Sequence, residues 1–337
     1  MEIINLDNVE ILNKGYGGQS CLKKCVRLNN DVYLMKFPGN LRNRNLTNIT
    51  SSYSNSSICE YIGSHIYSLF HIPVHETLLG MYQGRVVVLC KDFEAGKYIL
   101  HDFRTILVSH IESPDLDEYY IRGKGNRLHD VLRLCDTNDK LSKVSGVKMR
   151  LFEMILIDGL IGNFDRNNGN WGLLLDRDSY EIIGLAPVFD NGNCLFDKWD
   201  DSKMSECMKD DVRMRDMAIN VVKTFFAKDN GKIYSPFQLL ESGEFPLYTL
   251  VAHGLFRENH LPDILDLISS VPCISDIQKK FYRKLITLRY TQYESILRHT
   301  PIDAGAVAAA YNLSPFLTDN CRQSFCSVTS RPEISIP

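Results

Sequence analysis

The sequence predicts an α+β fold of two lobes: a small β-rich lobe over residues 1–92, a larger helical lobe over residues 93–313, and then a flexible tail at 314–337. Three observations carry this reading. Strand-like segments flank a cluster of glycines near the start of the chain. Beyond Phe196 apolar residues recur at helical spacing, with Ile277, Phe281, Leu285 and Leu288 on one face. The chain's 337 residues, 44% of them hydrophobic, exceed a typical single core and suffice for substantial burial.

The first element is NKGYGGQSCLKK, starting at Asn13, which sets Gly15, Gly17 and Gly18 between two strand-like stretches. Glycine lets backbone N–H groups approach an anion closely. The next strand, Val32 to Phe37, carries Lys36 among apolar neighbours, although a lysine near a strand end ordinarily only faces water. In SNSSICEYIGSHIYSLF, Ile58, Ile62, Ile66 and Leu69 recur at helical spacing, so Glu60 is expected to face Lys36 from a helix packed on the sheet. A strand follows at Arg85 to Leu89, and the apolar run from Val147 to Ile161 predicts a buried helix. Further helices are expected over Met217–Phe226, Pro262–Ser269 and Ile274–Arg298, while KMSECMKDDVRMRD from Lys203 reads as one solvated helix face.

The stretch from Asn163 to Asp190, NFDRNNGNWGLLLDRDSYEIIGLAPVFD, carries the chemistry. Asp165 and Asn170 stand on a polar loop after the buried helix. Trp171–Leu175 and Tyr180–Ile183 read as a hairpin around Asp176, Arg177 and Asp178 that returns Phe189 and Asp190 to the same place. Carboxylate and amide oxygens are the hard ligands Mg²⁺ prefers, which suits Asn170 and Asp190. A further carboxylate that orients an acceptor hydroxyl and takes its proton completes phosphoryl-transfer geometry, and Asp165 is the candidate. Asp and Asn are also ordinary turn formers. The order of the blocks, not any single motif, favours chemistry.

Together the blocks resemble the HipA-like serine/threonine kinases (HipA-C domain), and within them the compact CtkA-type proteins. The resemblance rests on KGYGGQS, VYLMKFPG, CEYIGSHI with HIPVHETLLG, RVVVLCKDF, LIGNFDRNNGNWG and LAPVFDNGNCLF, between Asn13 and Phe196. It implies a protein-kinase-like fold that uses ATP and Mg²⁺ to phosphorylate Ser or Thr of protein substrates and of itself. By that resemblance Asp165 is the base, and Asn170 and Asp190 hold Mg²⁺. Lys36, paired with Glu60, contacts phosphates, and Gly17, Gly18, Gln19 and Ser20 cover the nucleotide. The backbone of Cys90, Lys91 and Asp92 meets the adenine, Asn167 and Phe189 complete the pocket, and Ser20 is the autophosphorylation candidate. Lys36→Ala is expected to keep the fold and lose transfer. Asn167 departs from the D-R-H of many relatives: it donates hydrogen bonds but does not titrate near neutrality. Full-length HipA toxins carry an additional N-terminal subdomain, whereas the glycine loop here begins within the first twenty residues, so an antitoxin docked as in those toxins is not expected.

The formal charge of −3 and pI near 6.3 give no global attraction to nucleic acid, and none is expected as a partner. No stretch approaches the roughly twenty apolar residues of a membrane span. The start lacks a signal-peptide pattern, so synthesis in a cytosol is expected, and delivery to a host cell is compatible with it. The 10 cysteines, with no C-x-x-C among them, read as mostly reduced core thiols; Cys194, close to Asp190, reads as buried rather than redox-sensing. Two alternatives to a protein kinase stand beside it. A phosphoinositide-type lipid kinase shares the Asp165-Arg166 loop but calls for a basic membrane-facing segment, and a nucleotide-binding pseudokinase scaffold is suggested by Asn167. Oligomeric state is not written in these residues.

Overall fold

Period-two alternation builds the first sheet of the computed structural model, which describes residues 3–15, 21–41, 53–109 and 124–302. Strands β1 (Ile4–Asn5), β2 (Glu10–Leu12), β3 (Lys23–Leu28), β4 (Asp31–Lys36), β5 (Thr77–Tyr82) and β6 (Arg85–Lys91) are ordered β1-β5-β6-β4-β3-β2. All pairs are antiparallel except β1 on β5. Asn29 and Asn30, with φ of 50° and 72°, close β3 onto β4 in a two-residue turn whose twist suits a hairpin. Tyr33 and Met35 pack with Val26, Val87 and Leu89 on one face of the sheet. Leu34 and Lys36 sit opposite Cys90 and Val88 in the register and take the other face, against helix α1 (Ser56–Leu69). Alternation is therefore what aims a lysine inward.

A second sheet joins β7 (Tyr98–Asp102), β8 (Gly172–Asp176) and β9 (Ile182–Leu185) in that order, all antiparallel. The expected hairpin is present. Its turn is held by the Asp176 carboxylate, which accepts from the Asp178 and Ser179 amides.

The helices α2 (Phe103–Ser109), α3 (Leu128–Thr137), α4 (Val147–Ile161), α5 (Asp201–Met208), α6 (Asp211–Ile219), α7 (Pro236–Ser242), α8 (Pro246–Leu255), α9 (Leu261–Ser270) and α10 (Asp276–Leu297) surround the main core. Helix α4 spans the predicted residues and is buried along almost its whole length, as a helix apolar on all sides should be. Its buried charges have partners: Arg150 meets Glu153 at 3.0 Å, and Asp158 is paired with Arg166. Two expectations need correction. The run from Lys203 is not one solvated helix: Asp210 accepts from the amides of Val212 and Arg213 and starts α6 afresh, while Met204, Cys207 and Met214 turn into the core. The helix expected over Met217–Phe226 ends at Ile219, because the chain then pairs with residue 234 through Thr224 N–H to Tyr234 O and Tyr234 N–H to Phe226 O. The tail at 314–337 lies outside the described residues. Among those described, no helix is long and apolar enough to cross a membrane.

Helix α10 supplies an unusual buttress. Arg289 is 0% exposed, and burial pushes its guanidinium down to about 9. It donates to Ala218 O at 2.9 Å and to Leu160 O at 3.2 Å, the latter in the last turn of α4. Gly162 ends α4 at φ 69°, where an added Cβ would lie 2.6 Å from the Arg289 Nη1. Gly162→Ala is expected to cost more stability than the roughly 1 kcal/mol of left-handed strain alone. Gly243→Ala, at φ 61° with open space around it, isolates that strain, so the difference between the two urea-denaturation midpoints measures the Arg289 contact.

Candidate active site

The sheet, α1 and the loop after β9 meet around one lysine. Lys36 Nζ lies 2.8 Å from Glu60 Oε2 on α1 and 2.8 Å from Asp190 Oδ1. Burial alone would lower the Lys36 pKa, but Asp190 and Glu60 raise it well above the ordinary lysine range. Burial opposes ionisation of Glu60, yet the Lys36 charge and the His75 hydrogen bond outweigh it and hold the carboxyl below its usual range. The Lys36 charge likewise lowers Asp190, against burial and Glu60. Glu60 Oε1 also accepts from the Asn191 amide at 2.8 Å and lies 3.1 Å from His75 Nε2. The expected Lys36–Glu60 pair is present, and it fixes the Asp190 loop as well.

Arg166 organises the other half. It is buried, and its Nε and Nη2 donate to Asp158 at 2.8 and 3.2 Å. Nη1 donates to Asn170 O at 3.0 Å and to Phe189 O, and Nη2 also to Asn191 Oδ1. The loop carrying Asp165 and Asn170 is thereby tied to the one carrying Asp190. Asp190 itself has φ 61°, a left-handed backbone that Asp tolerates better than most residues.

Asp165 is exposed and aimed by amides: its Oδ1 accepts from Asn167 Nδ2 at 3.1 Å and its Oδ2 from Asn193 Nδ2 at 3.0 Å. Asn167 Oδ1 accepts from Arg104 Nη2 at 2.8 Å and from the Gly169 amide at 2.9 Å, so the asparagine in the histidine position is a clamp on the loop. Asn170 Nδ2 donates to Asp165 O at 2.7 Å. Among the described residues Asn170 Oδ1 and Asp190 Oδ2 have no protein partner, and both are oxygens of the hard type that Mg²⁺ prefers. A solvent-open cleft of about 490 Å³ is lined by Lys36, Glu60, Asp190, Asn193 and Lys198 among others.

The segment expected to meet the adenine is tied into the sheet. Strand β6 runs on through Lys91, whose amide donates to Glu76 O at 2.8 Å, while the Asp92 amide donates to Val32 O at 2.9 Å and Cys90 is buried between two paired strands. The amides of Lys91 and Asp92 are thus taken. Phe189 packs its ring 5.6 Å from that of Phe93. Gly17, Gly18, Gln19 and Ser20 lie outside the described residues. Cys194 is buried and donates to Cys59 O at 3.4 Å, and burial raises its thiol well above the ordinary range, as a core thiol requires. Sequence reasoning missed Asp158, Asn191 and Asn193. Asp158, a lone acid inside an apolar helix, signals a buried partner, whereas nothing in the sequence marks the two asparagines as loop ties.

No protein-family model matches the chain. It is 31% identical over 276 residues to the serine/threonine-protein kinase CtkA of Helicobacter pylori strain J99, covering 82% of this chain and 81% of that protein. The crystal structure of the H. pylori proinflammatory kinase CtkA superposes with a TM-score of 0.78 at 28% identity, covering 90% of this chain and 100% of that one. HipA of Shewanella oneidensis MR-1, solved with HipB and operator DNA, has a TM-score of 0.50 at 11% identity over 89% of this chain and 76% of its own, a likeness of fold. The two-lobed fold with its curled sheet and helical part, which HipA shares, and the extent of the identity to CtkA lead to one conclusion: the chain belongs to the CtkA-type serine/threonine protein kinases.

Proposed function

We propose that the chain is an ATP- and Mg²⁺-dependent kinase that phosphorylates Ser and Thr hydroxyls of protein substrates and of itself. The observation that carries this reading is the placement of Lys36 between Glu60 and Asp190 while Arg166 ties Asn170 to the same aspartate loop. Lys36 has three donors and uses two on carboxylates, so the third is available to phosphate. Asn170 Oδ1 and Asp190 Oδ2 would hold Mg²⁺, which when bound neutralises phosphate charge. The Phe93 amide, unpartnered among the described residues, replaces those of Lys91 and Asp92 as the adenine donor, with the Phe93 and Phe189 rings beside it.

Asp165 acts on the acceptor. With both oxygens fixed by Asn167 and Asn193, it orients the hydroxyl and takes its proton as the new oxygen–phosphorus bond forms. The bond from the γ-phosphorus to the bridging oxygen breaks, and its electron pair leaves with ADP. Ser20 remains the proposed autophosphorylation position, and the domain limits at 92 and 313 remain proposals.

Incubation with labelled ATP and Mg²⁺, offering generic proteins and phosphoinositides in parallel, tests the reading. Label is expected on protein, falling about 10²–10⁴-fold in Asp165→Ala and vanishing in Asp190→Asn. Label confined to lipid, or nucleotide binding without transfer, would overturn it.

The structure also revises the expectation for Lys36. Removing its charge strands a buried carboxylate, so Lys36→Met should lose transfer and also about 3–5 kcal/mol of stability at pH 7. Because Glu60 and Asp190 are depressed in the folded protein, their contribution in the wild type is present above the unfolded carboxylate range near pH 4 and is lost as the pH falls further. In Lys36→Met, Glu60 is raised instead and protonates early. Urea denaturation across the acid range should therefore show the gap between the two proteins narrowing on acidification.

A further inference from the structure

We propose that Lys198 is the cation that neutralises the transferring phosphoryl group on the acceptor side of the cleft. The proposal rests on the kinase reading above. Lys198 lines the cleft with Lys36, Asp190 and Asn193. Its Nζ lies 3.4 Å from Asn193 Oδ1, and the amide of that same side chain donates to Asp165 Oδ2 at 3.0 Å. A single asparagine therefore couples the ammonium to the base that handles the acceptor hydroxyl.

The charge distribution calls for such a group. Lys36 is held at 2.8 Å by two carboxylates and its side chain is 10% exposed, so its charge is already balanced on the nucleotide side. Phosphate passing to the acceptor moves toward Asp165, a second anion, with its own charge spread over three equatorial oxygens. Among the described cleft-lining residues, Lys198 is the cation left to meet it. Its side chain is 34% exposed and its contacts are loose, 3.4 Å to Asn193 and 3.5 Å to the buried carboxylate of Asp197. Asp197 holds the lysine at the rim of the cleft without saturating its three donors. An ordinary surface pair with Asp197 would be worth little and would leave catalysis untouched.

Lys198→Met and Lys198→Arg separate these roles. In Lys198→Met, kcat for labelled-phosphate transfer to a protein acceptor should fall about 100-fold, with ADP affinity and the urea midpoint unchanged; Lys198→Arg should restore most of the rate. Aluminium fluoride, which mimics the transferring group, should tighten MgADP binding in the wild type and not in Lys198→Met. Equal kcat and equal fluoride response in the two proteins would overturn the assignment. So would a loss confined to ADP affinity. A wild-type protein that transfers no phosphate overturns the kinase reading itself, whereas an active wild type beside an equally active Lys198→Met overturns only the role of the lysine.

Discussion

The molecule depends on the environment of one buried guanidinium. Arg166 has five N–H donors, and all five are used: two on Asp158, two on the carbonyls of Asn170 and Phe189, and one on the side chain of Asn191. Asp158 is in turn satisfied by the Tyr67 hydroxyl at 2.8 Å and the Asn163 amide at 3.1 Å. A buried ion pair is tolerable only when its remaining hydrogen-bonding capacity is filled in this way. Lysine has three donors on a point charge and could not span the same three segments. The spacing between the Asp165 loop and the Asp190 loop is thus set by a rigid planar fork, not by the hairpin that joins them in sequence.

Glu60 performs the matching task between sheet and helices. One carboxylate oxygen takes Lys36, and the other takes the Asn191 amide with His75 nearby. Strand, helix and loop therefore share a single anion, and Asn191 is common to the Glu60 and Arg166 networks. Asp165, the proposed base, is held differently: its two carboxylate oxygens accept from the neutral side-chain amides of Asn167 and Asn193, which orient it.

Much of this was legible in the sequence. The helix over Val147–Ile161 appeared at its predicted limits because an unbroken apolar run has few other solutions. Lys36 and Glu60 met because period-two and helical spacing each point their side chain in a definite direction. What stayed hidden depended on pairing over long separations. The partnership of Arg166 with Phe189 and Asn191 leaves no periodic trace, nor does the commitment of the Lys91 and Asp92 amides, which comes from strand register and turn closure. The missed break near Ile219 belongs to the same class, since a distant chain segment outcompeted local helical preference.

Arg289 reaches from α10 back to the last turn of α4, directly beneath the Asp165 loop. All the residues proposed to touch nucleotide or acceptor precede it by more than eighty positions in the chain. During synthesis the side chains proposed to react therefore leave the ribosome well before the support under their loop exists. Competence would then wait on α10, the last helix among the described residues, and a polypeptide terminated before it would carry the proposed chemistry without the rigidity to use it.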